Sequence, residues 1–135
     1  MYSNILLPVS FEEGRDVAGS LAVAKALRAP GGKITCLHVV EALPQYATEF
    51  VPSGHIEAAR ADISSELEAL IADVPDAQAV VVDGSSANAI LTFAQDNGKD
   101  LIIIASHRPG MTDYLLGSTA ARVVRHAKCS VHVIR

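Results

Sequence analysis

The chain has 135 residues and a net charge of −4; half of it is apolar and only 4% is aromatic. An acidic balance without a basic stripe or a stacking surface argues against a nucleic-acid partner, and no apolar run approaches a membrane span. A mean hydropathy of +0.28 supports a core built from Val, Ile, Leu and Ala, which favours one α/β domain over residues 1–135.

Residues 3–10 begin with an aliphatic strand, Asn4-Ile5-Leu6-Leu7. Pro8 cannot donate to a ladder, so the strand should end there or lose pairing. Residues 12–29 place Val17, Leu21, Ala24 and Leu27 at helical spacing, with acids first and bases last, and Pro30-Gly31-Gly32 stops the helix. Residues 33–40 form a second strand, in which His38 points opposite to Leu37 and Val39 as a satisfied strand residue or a ligand. Residues 41–53, with Pro44, Tyr46, Phe50 and Pro52, read as a lid, an oligomer contact or a packed surface loop.

Residues 54–73 predict a crossover helix with Ile56, Ala59, Ile63, Leu67, Leu70 and Ile71 on one face. A third strand spans 77–83, Gly84 turns the chain, and a serine caps a helix over about 86–97. A fourth strand starts at Leu101 as a bare aliphatic run, the mark of burial on both faces. A polar loop follows, then a helix over about 116–127 with Leu116, Ala120, Val123 and Val124 inward, and a fifth strand over Ser130 to Ile134. Cys36 lies in an apolar run and reads as an inert core thiol; Cys36 and Cys129 have no metal spacing. Met1-Tyr2-Ser3-Asn4 does not begin like a signal peptide, so a cytoplasmic location is expected.

The segment from Ile102 to Thr119 carries the chemistry. A strand, a loop with a cation and a helix start bearing hydroxyls make a phosphate site: amides and the helix dipole face the anion. Ser118 and Thr119 add hydroxyls, and Arg108 adds a forked guanidinium. Residues 1–100 hold 6 basic and 14 acidic side chains, whereas residues 101–135 hold 5 basic and one acidic, so the basic region surrounds this site. The alternation of strands and helices implies a parallel sheet with a crevice at the C-terminal strand ends. Pro8-Val9-Ser10 and Ala105-Ser106-His107-Arg108 face one crevice if their strands are neighbours. The acidic cluster of a receiver and the GxGxxG of dinucleotide folds are both absent.

The chain resembles the universal stress protein family, most closely its F/G-type ATP-binding branch. The likeness rests on Ile103-Ile104-Ala105-Ser106-His107-Arg108-Pro109, Tyr114-Leu115-Leu116-Gly117-Ser118, Val124-Arg125-His126-Ala127 and Cys129-Ser130-Val131. Ile5-Leu6-Leu7-Pro8, Leu37-His38-Val39 and Gly84-Ser85 add to it. The resemblance implies an open five-stranded parallel sheet of order 3-2-1-4-5, Rossmann-like, with helices on both faces. It also implies a homodimer through strand five, larger assemblies such as tetramers, and ATP binding with Mg²⁺ beside the phosphates. By position, adenine falls near Pro8, Val9 and Val39, and the ribose at Ser10 and Ala105. The phosphates meet Ser106, His107, Arg108, Gly117, Ser118 and Thr119. Relative to the family's glycine pattern, Ala105 and Arg108 replace the first two glycines, and Ser10 stands where an Asp is usual; a hydroxyl cannot hold a metal as a carboxylate does.

Three functions follow from this. One is an ATP-binding regulatory module in stress response. Another is a slow ATPase or autophosphorylating protein, with His107, Ser118 and Thr119 as the groups near the phosphates. The third is an oligomeric interaction protein that binds no nucleotide. An apolar C-terminal edge strand without a blocking Pro favours pairing with a second copy.

Overall fold

The computed structural model describes residues 1–11, 17–41, 54–106 and 116–135. Five strands, β1 (Tyr2–Pro8), β2 (Arg28–Val40), β3 (Ala77–Asp83), β4 (Leu101–Ala105) and β5 (Ser130–Ile134), alternate with helices. The helices are α1 (Val17–Leu27), α2 (His55–Leu70), α3 (Ser86–Asp96) and α4 (Ser118–His126). All pairings are parallel and the strand order is β3-β2-β1-β4-β5, the order that the resemblance implies. The chain winds outward from β1 to β3, then returns past β1 to lay down β4 and β5. The winding direction therefore reverses between β1 and β4.

Alternation along each strand feeds two cores. Ile5, Leu7, Val9, Ile34, Cys36, Leu101 and Ile103 pack toward Leu21 and Ala24 of α1 and Leu67 of α2. Leu6, Leu37, Ile102 and Ile104 pack toward Ala87, Ile90 and Ala94 of α3 and Ala120 and Val123 of α4. Strands covered on both faces need no polar side, which is why β4 reads as an unbroken aliphatic run.

Three expectations change. α1 ends at Leu27, and β2 begins at once, with Arg28 already opposite Tyr2. Pro30-Gly31-Gly32 therefore lies inside β2, at a register shift between Tyr2 and Asn4, and does more than stop a helix. Gly31 takes φ +77°, and a Cβ on Gly32 would sit 2.9 Å from Arg28 Cγ and 3.0 Å from the Tyr2 carbonyl oxygen. Ile56, Ala59 and Val124 are exposed rather than inward (45% for Ile56, 43% for Val124): Ile56 shares a face with buried Leu67, but every residue from Gly54 to Ala59 is exposed, and Val124 flanks the buried stripe of α4. Ser85 is the N-cap residue of α3, but its side chain makes no capping bond, and Ser86 Oγ instead donates to Glu41 at 2.9 Å.

The N-terminal ends of the strands are fastened by polar side chains. Lys99 Nζ donates to Asn4 Oδ1 and to Thr35 Oγ1, both at 2.7 Å, and lies 5.9 Å from the centre of the Phe93 ring. Gln78 Nε2 also donates to Thr35 Oγ1 at 3.1 Å. Burial lowers the Lys99 pKa and Lys33 adds to this, while Asp100 opposes it. Asp100 accepts from the Ser3 amide (2.8 Å), the Ser3 hydroxyl and the Asn4 amide. Partial burial raises the Asp100 pKa, but these hydrogen bonds outweigh it and hold the carboxyl below its ordinary value.

Candidate site at the β1–β4 crevice

β1 and β4 pair at Ile5–Leu101 and Leu6–Ile102, and the ladder ends there. The cause lies in the backbone of β1. The Val9 amide donates to the Leu37 carbonyl, so odd residues of β1 direct their main chain to β2 and even residues direct theirs to β4. Asn4 agrees, since its carbonyl accepts from the Asp100 amide beside β4. Pro8 is the next even residue that would donate to β4, and it has no N–H. It keeps its place opposite Leu37 on β2 while its bond to β4 is missing. β4 runs on to Ala105 against Ile134 of β5. The ladder thus ends where the winding reverses, and the crevice expected there, at the C-terminal strand ends where α/β sheets take ligands, is the candidate site.

One wall of the crevice is the end of β1. Val9 is buried, Pro8 and Ser10 are half-buried, and the Val9 carbonyl accepts from His38 Nδ1 at 2.9 Å. The His38 ring lies 5.4 Å from the Phe11 ring. Val39 stands next on β2, half-buried and opposite Val82 of β3.

The other wall joins β4 to α4. Ser106 is 1% exposed; its amide donates to the Ile134 carbonyl, and its own carbonyl accepts from the Gly117 amide. This link brings the end of β4 against the start of α4. Gly117 is the N-cap residue of α4, with no side chain to bond the first turn. Its φ of −62° and ψ of 159° suit any residue, so backbone freedom does not explain a glycine here. The glycine leaves no Cβ and no side chain at the cap of the first-turn amides. Ser118 is exposed, Thr119 is half-buried, and their hydroxyls make no hydrogen bond among the described residues. His107 and Arg108 lie outside the described residues.

The structure therefore brings Ser106, Gly117, Ser118 and Thr119 together at one lip, and Pro8, Val9, Ser10 and Val39 at the other. Ala105 closes the β4 side. Among the described residues no group of three or more His, Cys, Asp or Glu is placed to hold a metal ion. The described donors at this site include no carboxylate, which a protein-held Mg²⁺ site ordinarily uses. A separate groove of about 230 Å³ lies between α3 and α4 at the opposite sheet end, beside Leu91, Lys99, Ile102 and Cys129. It has no part in the crevice.

The model of the universal stress protein family matches residues 1–135. The chain belongs to the universal stress protein family. It is 32% identical over the full length of both chains to a universal stress protein of Thermus aquaticus, encoded in a QAH/OAS sulfhydrylase 3′ region. It is 27% identical, again over all of both chains, to universal stress protein G of Escherichia coli O157:H7, in accord with the F/G-type likeness. The solved universal stress protein UspA from Lactobacillus plantarum superposes with a TM-score of 0.73 at 27% identity, covering 99% of this chain and 98% of that one. More distant members share the fold. One from Archaeoglobus fulgidus is in complex with dAMP (TM-score 0.63, 19% identity, 99% and 98% covered). Another is in complex with cAMP (TM-score 0.59, 19% identity, 99% and 97% covered).

The partner of His38 and the role of Lys99 are what sequence reading leaves out. The hydrogen bond of His38 joins residues far apart in the chain, and Gly98-Lys99-Asp100 reads only as the end of a helix. A lysine two residues before a buried aliphatic strand was the available signal for Lys99.

Proposed function

We propose that this universal stress protein is a nucleotide-responsive regulatory module that binds ATP in the β1–β4 crevice and works in the cytoplasm. The observation that carries the reading is the end of the β1–β4 ladder before Pro8, beside an uncapped helix start. One wall offers main-chain groups for a base, the other offers amides and hydroxyls for an anion. The main chain of Val39 faces the β1 side of β2, since the Leu37 carbonyl does so and the Val40 carbonyl accepts on the β3 side from Gly84. A main-chain N–H and C=O match the acceptor nitrogen and amino donor of adenine. Ser10 and Ala105 flank the ribose. The phosphates lie against Ser106, Gly117, Ser118 and Thr119, with His107 and Arg108 from the loop.

The complexes of related proteins with dAMP and cAMP support an adenine nucleotide as the class of ligand. Calorimetry with ATP, and mass spectrometry of whatever co-purifies, test the proposal. Binding of ATP well above that of inorganic triphosphate alone is expected; absence of heat and of thermal protection at millimolar ATP rejects it.

The output of such a module is a change of assembly, and we place the homodimer contact on β5. This strand is one of the two edges of the sheet. The Ile134 carbonyl faces β4, so the main chains of Val131 and Val133 face outward. Val133→Pro removes one outward donor and no ladder bond, so light scattering should report monomers with unchanged circular dichroism. His132→Pro cuts the ladder to β4 and should lower stability instead. A Val133→Pro protein that remains dimeric removes β5 from the interface.

A further inference from the structure

Val9 directly follows β1 and is still held by β2, in an unusual way. Its amide donates to the Leu37 carbonyl at 2.8 Å, as a parallel ladder requires. The next rung would be the Val39 amide donating to the Val9 carbonyl. That rung is missing among the described backbone bonds, and the carbonyl accepts from the ring of His38 at 2.9 Å. A carbonyl oxygen offers only lone pairs, so Nδ1 carries the proton in this bond.

We infer that His38 is a latch: it takes the Val9 carbonyl, stops β1 from zipping one residue further along β2, and so keeps the Val39 amide open to a ligand. Val9 is only 7% exposed, and a buried carbonyl left without a donor is costly, so it must be satisfied by one partner or another. Two donors compete for it, the His38 ring and the Val39 amide. The Phe11 ring, tilted 41° to that of His38, packs beside the imidazole. With the ring bond made, the carbonyl is satisfied from a side chain and the strand end turns away. Without it, the Val39 amide is the next donor in ladder order, and bonding it would close the base end of the crevice. His38 is thus a positioning residue. That the ligand is an adenine nucleotide rests on the proposal above; the latch itself does not.

Amide exchange in the nucleotide-free protein, followed by NMR, reads the latch directly. In the unmodified protein the Val39 amide should exchange fast. His38→Leu should slow it at least about tenfold, as the new rung forms. His38→Asn, whose amide nitrogen sits where Nδ1 does, should restore fast exchange. ATP affinity should fall about tenfold in His38→Leu and stay within about threefold in His38→Asn, with tripolyphosphate binding unchanged in both. Slow exchange of Val39 in the unmodified protein overturns the latch, whether or not His38→Leu folds. Equal exchange in the unmodified protein and His38→Leu overturns it as well. If exchange behaves as expected but the unmodified protein takes up no adenine nucleotide, the latch stands and the adenine reading falls.

Discussion

Replacing Arg108 with alanine is expected to weaken ATP binding about a hundredfold, while adenosine binding stays within about threefold. The split follows from where charge is needed. α4 offers a triphosphate the partial positive charge of an uncapped first turn, two hydroxyls and no full charge at its start. The full charges on α4, Arg122 and Arg125, lie later in the helix and are exposed. A guanidinium in the loop between Ser106 and Gly117 would therefore be the main counter-charge, and hydrogen bonds to ionised groups are about twice as strong as neutral ones. Arg108→Lys keeps the charge but loses the fork, so an intermediate loss of about tenfold is expected. Calorimetry with ATP, ADP, AMP and adenosine orders the ligands: the penalty should grow with each phosphate. Equal losses for ATP and adenosine would mean that Arg108 acts through the loop's structure. No loss for either would move the phosphates elsewhere.

What could be read from the sequence follows the range of the forces involved. β4 and its two-sided burial are legible because Leu101 to Ile104 are all apolar, and periodicity is local. The helix start at Ser118 is legible from Gly117 and the hydroxyls for the same reason. The start of β2 is not: Pro30-Gly31-Gly32 has the composition of a stop, and only the pairing of Arg28 with Tyr2 draws it into the strand. Val124 has the residue type of a core position, but α4 covers the sheet with a narrow stripe through Ala120 and Val123. The crevice itself is half legible. Pro8 announces an interrupted strand, yet which neighbour loses its bond depends on the direction of one backbone nitrogen. That direction is set by the Val9–Leu37 bond and becomes visible only in the sheet. His38 is the same case from the side chain: an isolated histidine in an apolar strand has no meaning until the carbonyl it meets is known.

Stability in alkali should report Cys36, with a reversal of sign between the native chain and Cys36→Ala. Cys36 is 1% exposed in the core beneath α1 and α2, and burial pushes its thiol up from 9.0 to about 11. The unfolded thiol gives up its proton near its ordinary pKa, whereas the native one keeps it. The stabilisation is therefore complete below pH 9 and is lost as pH rises toward about 11, a fall of about 2 to 3 kcal/mol. Lys99 works the other way: the native lysine gives up its proton before the unfolded one does, so its contribution rises with pH up to about 10.5. The total curve mixes the two, and the difference between native chain and variant isolates the thiol. At neutral pH Cys36→Ala should be less stable by about 1 kcal/mol, the cost of a small cavity. By pH 11 it should be the more stable of the two, because the native chain must then bury an anion or break open to release it. Urea titrations under reducing conditions at pH 7, 9, 10 and 11 give the crossing point. A constant difference across that range would mean that the thiol meets water in the native state. A crossing would show that below pH 9 it is held as a neutral thiol, a packing residue with no nucleophile to offer.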